Sequence, residues 1–186
     1  MAACAASAFA MHTGEINVND TDVEVGAKFD VGQFNHSVAP DTMFFGGKFL
    51  NGDKEHSSDR NSTIDPYFEL NFLMQRPIGT GGMTLGLGIK FNYTKEFASV
   101  PLGGEFSYKI PAKKLIPMYL HGSLYYAPNV LAFNDAKDFL EYNLGYDIEV
   151  IENGRVTFGY RNLDTNYNAM NFTYNESWYV GFKIGF

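Results

Sequence analysis

At 186 residues, with 14 basic and 21 acidic residues and a formal charge of −7, the chain fits a single domain and lacks the basic face that a nucleic-acid partner asks for. It holds no Gly-rich phosphate loop, no metal-spaced Cys/His cluster and no apolar run of about 18 residues, which excludes P-loop nucleotide chemistry, structural zinc and a membrane helix. Its 17 Phe, 12 Tyr and 19 Gly together suit curved sheet with aromatic rings at an interface.

The opening MAACAASAFAMHTGE carries small residues and an Ala8-Phe9-Ala10 triplet that fits a secretory cleavage site. Residues 1–10 therefore read as the remainder of a signal peptide, lost with Cys4, and 11–186 as one barrel domain. A lipidated Cys4 in a degenerate lipoprotein box and a plain flexible tail are the other readings of this start.

From there the chain alternates strands with turn clusters, because a period of two puts successive side chains on opposite faces of a strand. EINVN (15–19) is a weak strand with Ile16 and Val18 on one side. Residues 23–31 set Val23, Val25, Ala27, Phe29 and Val31 on one face, and after the polar link 51–63, Phe68, Leu70, Phe72 and Met74 oppose Glu69 and Asn71. The clearest strand is MTLGLGIKFNYTK, where Leu85, Leu87, Ile89, Phe91 and Tyr93 face away from Thr84, Gly86, Gly88, Lys90 and Asn92. Beyond the links at 95–101, 111–117 and 127–137, FLEYNLGYDIEVI puts Leu140, Tyr142, Leu144, Tyr146, Ile148 and Val150 opposite Glu141, Asn143, Asp147 and Glu149. A tight turn at Glu152-Asn153-Gly154 leads into a strand whose Val156, Phe158 and Tyr160 oppose Arg155, Thr157 and Arg161. Residues 163–173 read as a longer polar link. The last stretch alternates Trp178, Val180, Phe182, Ile184 and Phe186 with Tyr179, Gly181, Lys183 and Gly185.

Short turns on one rim and longer loops on the other describe an up-and-down meander, and strands of about 9–11 residues, apolar outside and polar inside, match a barrel that spans a membrane. The expected fold class is therefore all-β, an antiparallel up-and-down transmembrane β-barrel of about ten strands, with eight as the alternative. Ten follows from an even strand number with both termini at one rim. The charges opposite the apolar stripe, Glu69, Lys90, Glu105, Lys109, Glu141, Asp147, Glu149, Arg155, Arg161 and Lys183, would line the lumen together with His121. The same alternation also fits a soluble barrel whose apolar stripe is the core and whose charges face water.

The final YVGFKIGF resembles the terminal signal that the assembly machinery of bacterial outer membranes reads, with Tyr179, Gly181, Ile184 and Phe186 at its positions. More specifically, YYAPNVLAF (125–133), EYNLGYDI (141–148) and GYRNL (159–163), in this order before the aromatic end, resemble the YfaZ family of outer-membrane proteins over residues 119–186. The resemblance implies a barrel of the Gram-negative outer membrane, with outer-membrane lipid and the barrel-assembly machinery as partners. It brings no reaction.

A barrel of eight to ten strands is just filled by its own side chains, so a wide channel is not expected. The near balance of inward acids and bases fits either a salt-bridged closed lumen or a narrow, porin-like polar path for small solutes or ions. Adhesion or binding through the loops at 51–63, 127–137 and 163–173 is the alternative from another class. A small barrel enzyme built on Ser123, His121 and Glu141 is a third, although the spacing of His121 and Ser123 is simply the strand period. We expect a monomer with no catalytic residue, no metal and no cofactor.

Overall fold

The computed structural model describes residues 12–52, 66–111, 116–134, 136–167 and 171–186. The leader expected at 1–10, most of the link at 51–63 and the Ala112-Lys113-Lys114 turn lie outside these residues. Within them the period of two becomes twelve strands: β1 (Thr13–Val18), β2 (Val23–Asp30), β3 (Met43–Asn51), β4 (Tyr67–Ile78), β5 (Met83–Tyr93), β6 (Ala98–Ser99), β7 (Leu102–Lys109), β8 (Met118–Ala127), β9 (Ala132–Phe133), β10 (Ala136–Ile151), β11 (Gly154–Tyr167) and β12 (Asn171–Gly185).

Leaving aside the two-residue β6 and β9, each strand lies antiparallel beside the next, and β1 closes on β12 from Thr13↔Gly185 to Val18↔Val180. The chain is a closed, up-and-down antiparallel barrel of ten strands. Closure leaves no exposed sheet edge, so every long strand has a hydrogen-bonding partner on both sides. Both ends of the described chain meet at one rim, where the Phe186 amide donates to the His12 carbonyl at 2.9 Å; we call this the terminal rim and the opposite one the far rim. β6 pairs with the end of β5 and with β9, forming a small flap at the far rim.

The apolar stripes face outward. Leu87, Trp178 and Leu124 are 77%, 76% and 57% exposed, while the charged residues between the stripes are buried. This is the reverse of a water-soluble barrel, and the arrangement with the apolar stripe as core does not occur. Along β5, Met83, Leu85, Leu87, Ile89, Phe91 and Tyr93 are all exposed. Eleven residues at about 3.4 Å each, tilted by about 40°, give an apolar band close to the ~25 Å typical of membrane barrels.

Three sequence expectations change. Val31 leaves the sheet and starts a 3-10 turn, Val31–Gln33, because the Asp30 side chain accepts the Gly32 amide and caps it. Residues 163–173 are mostly strand: β11 runs to Tyr167 and β12 starts at Asn171, with 168–170 between them outside the described residues. The rims also do not sort by loop length, since the 31–42 connection on the terminal rim is long and Asn19–Asp22 on the far rim is a tight turn whose Asn19 side chain accepts the Thr21 and Asp22 amides.

While the register pair Phe44 and Leu73 is buried nearer the terminal rim, the main apolar cluster of the interior sits at the far rim. Leu50, Tyr67, Phe97, Phe139, Leu163, Phe172 and Tyr174 pack there with Ala127, Ala132 and Ala136 into one buried cluster. Phe97 is wholly buried, 5.5 Å from the Phe139 ring and 5.9 Å from Tyr174. Thr94 fixes it: the Phe97 amide donates to Thr94 Oγ1 at 3.0 Å, and the Thr94 amide to the Phe97 carbonyl at 2.8 Å. The far end of the barrel is therefore stoppered by its own side chains.

Candidate functional site

Below the stopper the lumen is polar and is organised by cations that reach between strands. Lys90 on β5 sits 3.0 Å from Glu69 on β4 and 2.6 Å from Glu141 on β10, and its ammonium lies 4.1 Å over the Tyr125 ring. Asn71 donates to the other Glu69 oxygen at 2.7 Å. A second centre is Arg161 on β11, which donates to Glu24 at 3.0 Å, to Asn175 at 3.0 Å and to Ser177 at 3.1 Å, with Asp22 at 3.5 Å. The fork geometry of guanidinium suits this many acceptors in one plane.

Nearer the terminal rim, Asp147 collects partners. Thr157 donates to it at 2.7 Å, with His121 and Lys183 each at 3.4 Å and Arg155 at 3.9 Å. The Arg155 guanidinium stacks 3.7 Å over Tyr119, whose hydroxyl donates to Glu149 at 3.0 Å. Lys28 on β2 meets Glu105 on β7 at 2.7 Å, joining strands that are not neighbours in the sheet.

Exposure rises toward the terminal rim for part of the set, while Asp147 and Arg155 there stay 3% and 7% exposed. The side chains of Glu69, Lys90, Glu141 and Arg161 are 5% exposed or less, whereas Lys28, Glu105, His121 and Lys183 are 21–27% exposed. A polar cavity of about 180 Å³, lined by Glu69 and Lys90 and by Lys28, Glu105, His121 and Lys183, occupies this part of the lumen. Along the lumen, partly exposed charges thus lie toward the terminal rim, buried ion pairs in the middle and the apolar cluster at the far rim.

Glycines make the room for this filling. A methyl group at Gly88 or Gly103 would strike the Tyr125 ring or hydroxyl, one at Gly145 the His121 ring, and one at Gly159 the Tyr179 ring. Each large lumen side chain lies flat against a neighbouring strand that has no side chain there. Gly88→Ala should therefore push Tyr125 off the wall and weaken its hold on Lys90 and on Glu105, to which it donates at 3.0 Å. Overpacking of this kind costs about 1–3 kcal/mol. Urea unfolding of Gly88→Ala beside Gly81→Ala, where an added methyl meets nothing, measures it.

Of the residues assigned to the lumen from sequence, Glu69, Lys90 and Glu141 meet at the first centre, Arg161 forms the second, His121, Arg155 and Lys183 surround Asp147, and Glu105 pairs with Lys28. Lys109 has the inward register but is exposed at the terminal rim, 5.7 Å from the Tyr119 ring. In the C-terminal motif, Tyr179 and Gly181 face inward and Ile184 and Phe186 outward. Ser123, His121 and Glu141 are not brought together as a catalytic group: Glu141 binds Lys90, and the carboxylate beside His121 is that of Asp147.

Five lumen charges escaped sequence reasoning, namely Glu15, Asp22, Glu24, Lys28 and Lys48. Glu24 and Lys28 alternate with the outward Val23, Val25, Ala27 and Phe29, so the signal was present in the same period that located the strand.

With this geometry in hand, comparison with known families matches residues 1–186 to the family described as YfaZ precursor. The chain belongs to the YfaZ family. No curated protein matches it. The stretches that resembled YfaZ proteins in sequence supply the core of the lumen: 125–133 carries Tyr125 and two alanines of the stopper, 141–148 carries Glu141 and Asp147, and 159–163 carries Gly159, Arg161 and Leu163.

Proposed function

We propose that the protein is a structural β-barrel of the Gram-negative outer membrane whose lumen is closed to solute flow, with its polar cup open to the periplasm. The observation that carries this reading is the inverted burial: an exposed apolar band of membrane height encloses ion pairs, and an apolar stopper seals one end. In water such a band would be an aggregation surface. In lipid it is the required exterior, and ten closed strands satisfy every ladder hydrogen bond that a bilayer cannot. Outer-membrane lipid is then the solvent of the outer face. The barrel-assembly machinery is the partner that reads Tyr179, Gly181, Ile184 and Phe186. The chain acts as a monomer, without catalytic residues, metal or cofactor.

Refolding in detergent followed by gel migration with and without heating, together with planar-bilayer recording, tests the reading. A closed barrel migrates heat-dependently and conducts nothing; steady single-channel currents from the wild type would replace it with the narrow-channel reading. Leu87→Arg tests the bilayer separately. At this mid-band site an arginine should cost about 2–4 kcal/mol in lipid, whereas on a soluble surface it would be close to neutral. Equal unfolding free energies for Leu87→Arg and wild type in liposomes would overturn the membrane assignment.

A further inference from the structure

We propose that the outer wall of the barrel binds one anionic glycerophospholipid, its acyl chain lying in a groove across β3, β4, β5, β7 and β8 and its phosphate held by Arg76. The proposal rests on the membrane reading above. The groove has a volume of about 940 Å³. Its floor is a row of register partners, Met43↔Met74, Met74↔Leu87, Leu87↔Gly104 and Gly104↔Leu124, and it dips at Gly104, where no side chain stands. Four strand spacings of about 4.8 Å make the row about 19 Å long, slightly more than the ~15 Å depth of one leaflet. One oblique acyl chain fits that length.

Two features distinguish this groove from ordinary lipid-facing surface. Its terminal-rim wall is the 37–42 segment, which is tied down: the Asp41 amide donates to Asp30 at 2.9 Å, Gln75 donates to the Asp41 carbonyl at 3.2 Å, and the Gln75 amide donates to the Thr42 carbonyl at 2.8 Å. Beside that wall stands Arg76, exposed, outward-facing and with a side chain that makes no hydrogen bond or ion pair among the described residues. A second apolar dent, at Gly47 between Ala27 and Leu70, has among the described residues neither an overhanging segment nor an outward cation. Guanidinium matches phosphate with paired donors. The position of Arg76 at the terminal rim selects a phospholipid of the periplasmic leaflet over the glycolipid of the outer one.

The test is native mass spectrometry of full-length protein extracted in mild detergent from liposomes of phosphatidylglycerol and phosphatidylethanolamine. Wild type should retain one phospholipid, enriched in phosphatidylglycerol. Leu124→Trp, which lays an indole over Gly104, should lower retention about tenfold, and Arg76→Gln should abolish the phosphatidylglycerol preference, as expected for loss of a charged hydrogen bond. Val180→Trp, the same change on the opposite wall, should leave retention unchanged. Equal retention by Leu124→Trp and wild type, equal loss in Val180→Trp, or a folded, inserted wild type carrying no lipid or a second protein copy instead would each overturn the groove and leave the membrane reading standing. A wild type that fails to insert into the liposomes at all would overturn both.

Discussion

Replacing Lys90 with methionine should cost about 3–5 kcal/mol of unfolding free energy, the largest loss expected from any single lumen substitution. Its ammonium is the shared partner of Glu69 and Glu141, which are 1% and 5% exposed, so its removal leaves two carboxylates facing each other with little water to screen them. Chemical or thermal unfolding of the refolded barrel measures the loss. The triple variant Lys90→Met, Glu69→Gln, Glu141→Gln should recover most of it, because the penalty arises from uncompensated charge rather than from lost volume. A Lys90→Met barrel as stable as wild type would mean that the centre of the lumen is wet, and the closed reading would fail with it.

Arg161→Ala should be nearly as damaging and separates a closed lumen from a conducting one. The guanidinium holds Glu24, Asn175 and Ser177 and approaches Asp22, so alanine takes the nearest cation from two carboxylates 4% exposed or less and leaves Glu24 to Lys48 at 3.7 Å, a loss of up to about 3–5 kcal/mol. Arg161→Lys should recover only part, since an ammonium cannot fork to four acceptors. Planar-bilayer recordings should stay silent for both variants, because the Phe97 cluster at the far end does not depend on Arg161. A stable Arg161→Ala barrel passing cations would instead show that these residues line a continuous path.

The strand positions were legible wherever the two faces meet different surroundings over the whole strand. β5 is the clearest case: Leu85 to Tyr93 face out and Thr84 to Asn92 face in, without a break in parity. The pattern failed at 163–173 for a physical reason. There β11 and β12 rise past the apolar band, so the outside turns polar at Asp164, Asn166 and Glu176 while the inside turns apolar at Leu163, Phe172 and Tyr174. The usual assignment of faces inverts. A register slip at Leu163/Asp164 that passes over Tyr174 also breaks the period of two, so strand sequence reads as a polar link.

The candidate site was legible to the same depth. Inward parity located Glu69, Lys90, Glu141, Arg155 and Arg161, but pairing depends on which strands face each other across the lumen, and no local pattern encodes that. Lys28 and Glu105 are 77 positions apart and meet only because the sheet curls into a tube. The His121–Asp147 contact likewise needs Gly145 to lack a side chain, a condition visible only once β8 and β10 are in register.

The seam between β1 and β12 sets the order in which the molecule can form. β1 is only six residues long, and while it pairs locally with β2 its β12 partners lie at the opposite end of the described chain, so the Thr13–Gly185 pair forms last. Every other junction between long strands joins sequence neighbours, and such local hairpins form fast while long-range pairings form slowly. The sheet therefore assembles as an open ribbon, and the Arg161–Glu24 and Lys183–Glu15 contacts, which cross the seam, form only as it shuts. Until then both edges offer unpaired backbone to any neighbouring strand, which makes closure of this seam the committed step of biogenesis and the β1 edge the place where a folding assistant would have to hold on longest.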